Sequence, residues 1–132
     1  MKQDIKNRED IARLVFKFYE KLKQDEVLGP IFCGMISDWD SHLTHITTFW
    51  ESSLFMTKKN TQRYAGNPIE AHIKVDKFTN NTINEKHFGI WLNYWFQTID
   101  ELFEGETANN AKRRARKMAN YIHIKLFEAR EY

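Results

Sequence analysis

His72 stands where a metal ligand could be presented: it follows Tyr64, Gly66 and Pro68, and Pro68 suits the first position of a helix that would carry Ile69, His72 and Ile73 on one face. A short helix suspended between polar loops is a poor core element but a workable ligand arm. A neutral imidazole nitrogen can take an axial position on haem iron while the other ring nitrogen donates to a carbonyl or carboxylate that fixes its orientation. Taken alone, His72 is more simply a surface or hydrogen-bonded histidine. His42 and His45 stand three residues apart, a spacing that permits a shared metal, but no acidic or cysteine partner completes a zinc set. His42 borders an apolar stripe and looks toward the core edge. His45 falls toward the solvent flank, and His45, His87 and His123 read as structural or surface residues.

Tyr19 and Trp91 carry hydrogen-bond donors into otherwise apolar stripes. A buried tyrosine hydroxyl has to find a partner, and a bound ligand could be that partner; an indole adds an N–H and a flat ring able to lie along another flat ring. Either residue alone is more simply core with an incidental hydrogen bond. Aromatic residues make up 14% of the chain, with 4 Trp and 10 Phe, more flat surface than a plain helical bundle needs, so something planar is expected inside. Cys33 is a small apolar filler with no Cys-His-acid arrangement around it. The basic run from Lys112 to Lys117 reads as a solvated helix face, and glycine-rich phosphate loops and Gly-x-Ser-x-Gly elbows are absent.

Helices must position these residues. From Asn7 to about Asp25, Ile11, Leu14, Val15, Phe18, Tyr19 and Leu22 recur at helical spacing, with Asn7 and Asp10 able to cap the start. Gly29-Pro30 ends or kinks that helix, and Ile31 to Gly34 is a short apolar run before a turn near Ser37. A second stripe, starting at Asp38 or Asp40 and reaching about Met56, holds Leu43, Ile46, Phe49, Trp50 and Leu54. The short helix at Pro68 follows, then a polar, loop-like stretch from Asp76 to Asn84. Asn84 is placed to cap a third long helix with Phe88, Trp91, Trp95, Ile99 and Leu102. After Gly105, the stripe Ala108, Ala111, Ala115, Met118, Ala119, Ile122 and Leu126 defines a fourth that runs nearly to Arg130, its alanines permitting close helix crossing.

No segment alternates with period two for long, so the fold class is all-α, and 132 residues suit one domain, 1–132, with one ordinary core. With 42% hydrophobic and 29% charged residues, and only 5 Gly and 2 Pro, low-complexity and broadly disordered classes are excluded. The net charge of +2 selects neither nucleic acid nor an anionic membrane as partner. Met1 to Asp10 is too polar for a signal peptide, and no stretch approaches the about 18 apolar residues of a membrane span. A single cysteine fits a reducing compartment, so a cytoplasmic protein is expected.

Read together, these residues resemble a truncated hemoglobin, the short globin family with a two-over-two helical sandwich, and most closely its third group. The most specific piece is Tyr64-x-Gly66-x-Pro68-x-x-x-His72, similar to the segment that leads to the family's proximal histidine. Phe18-Tyr19 and Leu28-Gly29-Pro30-Ile31-Phe32 resemble the first-helix tyrosine and the phenylalanine that wedges against the haem, with a matching separation of 13 residues between Tyr19 and Phe32. His42, followed by Ile46, Phe49 and Trp50, is similar to the third group's distal helix, and Trp91 to the tryptophan beside the haem. The Gly-Gly pairs of the first two groups are missing around Leu54 to Gln62, as in the third.

The resemblance implies haem b, with His72 as proximal iron ligand, and Phe32, Ile46, Phe49, Tyr64 and Trp91 in contact with the cofactor, Tyr64 as a propionate partner. Tyr19, His42 and Trp91 would shape the distal pocket for O₂, NO or CO, with His42 gating entry or itself binding iron. Two donors there would hold O₂ tightly, which suits redox chemistry better than oxygen transport. Alternatives are a nitric oxide dioxygenase or peroxidase-like enzyme supplied by an external reductase, and a cofactor-free helical interaction module using the Lys112 to Lys117 face.

Overall fold

The computed structural model describes residues 2–55 and 68–130, so Tyr64, Gly66 and Met56 lie outside the described residues. Six helices follow in order: α1 Arg8–Gln24, α2 Leu28–Met35, α3 Trp39–Phe55, α4 Pro68–Phe78, α5 Glu85–Leu102 and α6 Glu106–Ala129. The all-α expectation holds; among the described residues the extended pairing is one isolated bridge, Gln3 to Phe103. Helices α1 and α3 form one pair and α5 and α6 the other, with α1 packed on α5 and α3 on α6. This is the two-over-two sandwich. Helix α2 closes one corner, and α4 rests on α6.

Caps and stripes explain the long helices. The Asn7 side chain accepts the Asp10 N–H at 2.9 Å, and the predicted residues of α1, from Ile11 to Leu22, are all buried. They meet Trp50, Trp95 and Ile99 in the core, where Trp95 stacks on Trp50 with ring centres 4.7 Å apart. The Trp95 indole donates to the Ala111 carbonyl at 3.2 Å, a reach possible only because Ala108, Ala111 and Ala115 keep α6 close to α5. Burying each large aliphatic side chain in this core stabilises the fold by about 1.5–3 kcal/mol. Asn84 caps α5 reciprocally: its side chain accepts from the Lys86 N–H at 2.9 Å while its own N–H donates to His87 Nδ1 at 3.1 Å. His87 therefore carries its proton on Nε2. Burial and then Lys86 depress its pKa, against the opposing pull of Asp76.

Two expectations need correction. The short apolar run Ile31 to Gly34 is not a free segment but lies inside α2, and the turn expected near Ser37 follows as a bend there. Pro30 falls in the first turn, where its missing N–H would have had no helical partner anyway, and the Asp25 carboxylate accepts the Val27 and Leu28 N–H groups at 2.9 Å each. That carboxylate also takes the Tyr94 hydroxyl at 2.8 Å, tying the α1–α2 corner to α5. Nor does a loop begin at Asp76, which sits buried on α4; the helix runs on to Phe78 and stops where Asn80 and Asn81 both adopt φ of 60°, a left-handed conformation asparagine tolerates.

Helix α6 is preceded by Gly105, whose φ of +145° excludes most side chains and whose Cβ position would fall 2.5 Å from the Asp4 carboxyl carbon. Asp4 reaches across from the N-terminal arm to accept the Thr107 and Ala108 N–H groups, each at 2.9 Å. Partial burial alone would raise its pKa, but these bonds and the Ile5 N–H outweigh it and hold the carboxyl below its ordinary value. A depressed acid stabilises the fold above the ordinary aspartate pKa of 3.8 and loses that contribution as pH falls through the lowered value. Asp4→Ala should destabilise the protein by about 1 kcal/mol at neutral pH and flatten the acid limb of stability against pH, measured by urea unfolding between neutral and acid pH; an unchanged profile refutes the cap.

Candidate functional site

A cleft of about 540 Å³ opens among α1, α2, α3 and α4, and its walls are mostly apolar. Phe32 comes from α2, Ile46 and Phe49 from α3, and Trp91 from α5. His72 lines it from α4 and His42 from α3, so two imidazoles share one apolar space from different helices. A smaller chamber of about 60 Å³ adjoins it, shares Phe32, His72, Val75, Trp91 and Met118 with it, and continues past Ile83, His87 and Phe88.

Tyr19, 5% exposed, finds its partner inside the protein: its hydroxyl lies 3.0 Å from His42 Nε2. Aromatic edges hold the pair. Phe32 and Trp39 meet the Tyr19 ring edge-on at 5.7 and 5.8 Å, and the His42 ring is perpendicular to it at 5.2 Å. Burial first, then the neighbouring His45 and His72, disfavours a positive charge on His42 and lowers its pKa. His42 is thus a neutral imidazole at neutral pH, able either to accept the Tyr19 proton or to donate to the Tyr19 oxygen. Trp91 stands edge-on to Phe18 at 5.4 Å and parallel to Trp95 at 6.1 Å, a rigid flat wall.

The structure brings Tyr19, Phe32, His42, Ile46, Phe49, His72 and Trp91 to one cleft, while Tyr64 lies outside the described residues. His45, expected on the solvent flank, is exposed but also lines the cleft, with Lys74 of α4. Sequence reasoning missed the part of α6: Met118 lines both spaces, and Ala119, Ile122 and Leu126 floor the smaller one. Only the apolar stripe hinted at it. The basic run is tied locally, Lys112 to Asp100, Arg113 to Asn110, Arg114 to Ser53, and Arg116 over the Phe96 ring.

The donor set suits haem. Flat aromatic and aliphatic walls match a planar apolar macrocycle, and imidazoles from two helices can meet its iron. Among the described residues no group of three or more His, Cys, Asp or Glu forms a separate metal site, and no helix is long and apolar enough to cross a membrane.

No protein-family model matches the chain. It is 30% identical, over 132 residues and 97% of each chain, to the group 3 truncated hemoglobin ctb of Campylobacter jejuni. The crystal structure of the group III truncated hemoglobin from Campylobacter jejuni superposes with a TM-score of 0.81 at 29% identity, covering 100% of both chains. Fold and cleft define a globin-type haem protein that binds small ligands. The chain belongs to the group 3 truncated hemoglobins.

The cleft depends on the corner at α2. Gly29 is buried where α2 meets the end of α1, and a Cβ there would fall 2.6 Å from the Lys23 carbonyl oxygen. Gly29→Ala should push α2, and Phe32 with it, away from Tyr19, destabilising the protein by about 1–3 kcal/mol. Thermal unfolding and haemin titration should show a lower Tm and weaker uptake; wild-type values for both would refute the close contact.

Proposed function

We propose that this chain is a b-type haem protein that binds O₂ and other diatomic ligands, NO and CO, and releases O₂ slowly. The observation that supports it best is the Tyr19–His42 hydrogen bond, 3.0 Å long, in an apolar cleft that His72 lines from another helix. When bound, haem b would supply an iron atom able to take an imidazole from the protein and a small gas. His72 is the proximal ligand in this reading. Phe32, Ile46, Phe49 and Trp91 would pack against the rings, and Tyr64 is kept as a propionate partner on the family resemblance alone.

Tyr19, His42 and Trp91 form the distal side. When His42 Nε2 donates to the Tyr19 oxygen, the Tyr19 hydroxyl proton is released from the imidazole and can point into the cleft. Donors fixed in walls that exclude water stabilise negative charge on a small ligand more than they would in solvent, and this slows its release. With no gas present, His42 gates that side or binds the iron itself. The same pair also favours a catalytic version, nitric oxide dioxygenase or peroxidase-like turnover with electrons from a separate reductase, since a neutral imidazole bonded to a phenol passes protons in either direction. Cys33, expected as an apolar filler, is instead exposed, and we place the protein in the cytoplasm, where such a thiol stays reduced.

Adding haemin to wild type should give a sharp Soret band that shifts under carbon monoxide after reduction, and His72→Ala should lose or broaden it; a wild-type spectrum from that variant refutes His72 as ligand. Tyr19→Phe should speed O₂ dissociation by about tenfold or more, the loss of one hydrogen bond to a charged acceptor. An unchanged rate in stopped flow removes Tyr19 from that role. Turnover with a supplied electron donor, clearly above that of free haem, would select the enzyme over the carrier.

A further inference from the structure

Asp76 follows His72 by one helical turn on α4 and therefore lies on the same side of that helix. It is 2% exposed, and its partner comes from the far end of the chain. Arg130, the residue just past α6, grips it as a fork: Nε donates to Oδ2 at 2.9 Å and Nη2 to Oδ1 at 2.8 Å. The same Nη2 also donates to the Ile83 carbonyl, while the Ile83 N–H donates to Asp76 Oδ1 at 3.2 Å. One carboxylate thus joins α4, the α4–α5 connection and the end of α6. Ile83 in turn lines the smaller chamber beside His72.

Helix α4 rests chiefly on α6, so what fixes it to α6 fixes the direction from which His72 enters the cleft. A buried ion pair is a poor means of gaining stability, because desolvation of both charges offsets most of their attraction, and a well-packed apolar pair often does as well. It is a strict means of fixing geometry: a bidentate guanidinium–carboxylate fork tolerates little rotation or sliding. We propose that Asp76 and Arg130 are positioning residues that set the tilt of His72 toward the haem iron, and so the strength of the iron–histidine bond and the retention of the cofactor. The inference rests on the reading of His72 as proximal ligand.

The test compares reduced, haem-loaded wild type with Asp76→Leu/Arg130→Met, whose apolar pair keeps the volume filled, and with Arg130→Lys, which keeps the charge but loses the fork. Three readouts are taken: thermal unfolding, the iron–histidine stretching band in resonance Raman, and haem transfer to an excess of an apoglobin acceptor. The expected result is a near-wild-type Tm for the double variant, a shifted or broadened stretching band in both variants, and haem loss faster by about tenfold. An unshifted band with unchanged haem loss, whatever the Tm, overturns the positioning role. If the double variant fails to fold, Arg130→Lys decides by the same two readouts. His72→Gly with added imidazole tests the underlying reading separately: a wild-type stretching band before imidazole is added refutes His72 as ligand, and the latch with it.

Discussion

The shape of the apolar cleft is set by how its helices are fastened to one another, and the rest of the structure answers to that constraint. Apolar burial is non-directional and by itself does not fix where a wall stands. Contacts placed along the backs and at the ends of the helices do. Helices α1 and α3 are backed by the Trp50–Trp95 stack and by Arg8, which bonds Glu51 at 2.8 Å and the Thr48 hydroxyl at 3.0 Å. Corner α2 hangs from Asp25, and α4 from Asp76. Asp4 does the same for α6, whose inner face floors the smaller chamber. Each of these carboxylates collects backbone N–H groups from a helix end or a loop, and Asp25 and Asp76 also take a side-chain donor distant in sequence, so the framework around the cleft is stiffened by polar contacts placed at helix ends.

Local signals carried most of the architecture. Helices α1 and α5 could be read from the chain because an apolar stripe and a capping asparagine, Asn7 or Asn84, agreed on each, and α3 and α6 from their apolar stripes alone, the cap of α6 coming from distant Asp4. Helix α2 could not, since a glycine and a proline in sequence read as a break, and only the Asp25 carboxylate beneath them reveals a helix start. The site followed the same division. Tyr19, His42, His72 and Trp91 were identifiable by residue type and stripe position, but the bond between Tyr19 and His42 joins residues 23 apart, and no spacing rule encodes it. Asp76 was unreadable for a stronger reason: its partner is 54 residues away, and an aspartate in a polar stretch looks the same whether it faces water or an arginine.

The Tyr19–His42 pair sets the chemical character of the cleft. Both groups are polar, both are desolvated, and each would carry a penalty of about 1–3 kcal/mol if left without a partner. Bonding to each other removes that penalty. Which group donates depends on the imidazole tautomer, so the pair can present a donor or an acceptor to an incoming molecule without a change of shape.

That freedom is also restrained. Burial, followed by the neighbouring His45 and His72, works against a cationic His42, so protonation of its imidazole is opposed chiefly by the apolar surroundings. Since the folded state binds that proton less readily than the unfolded chain, acidification below the ordinary histidine range near 6.5 costs stability in the ligand-free protein, and neutrality restores it. A neutral His42 keeps the Tyr19 hydrogen bond available in both directions, and a charged one could only donate. Burial, the larger cause, therefore protects the adaptability of the Tyr19–His42 pair, and His45 and His72 add to it as the pH falls into their own charging range.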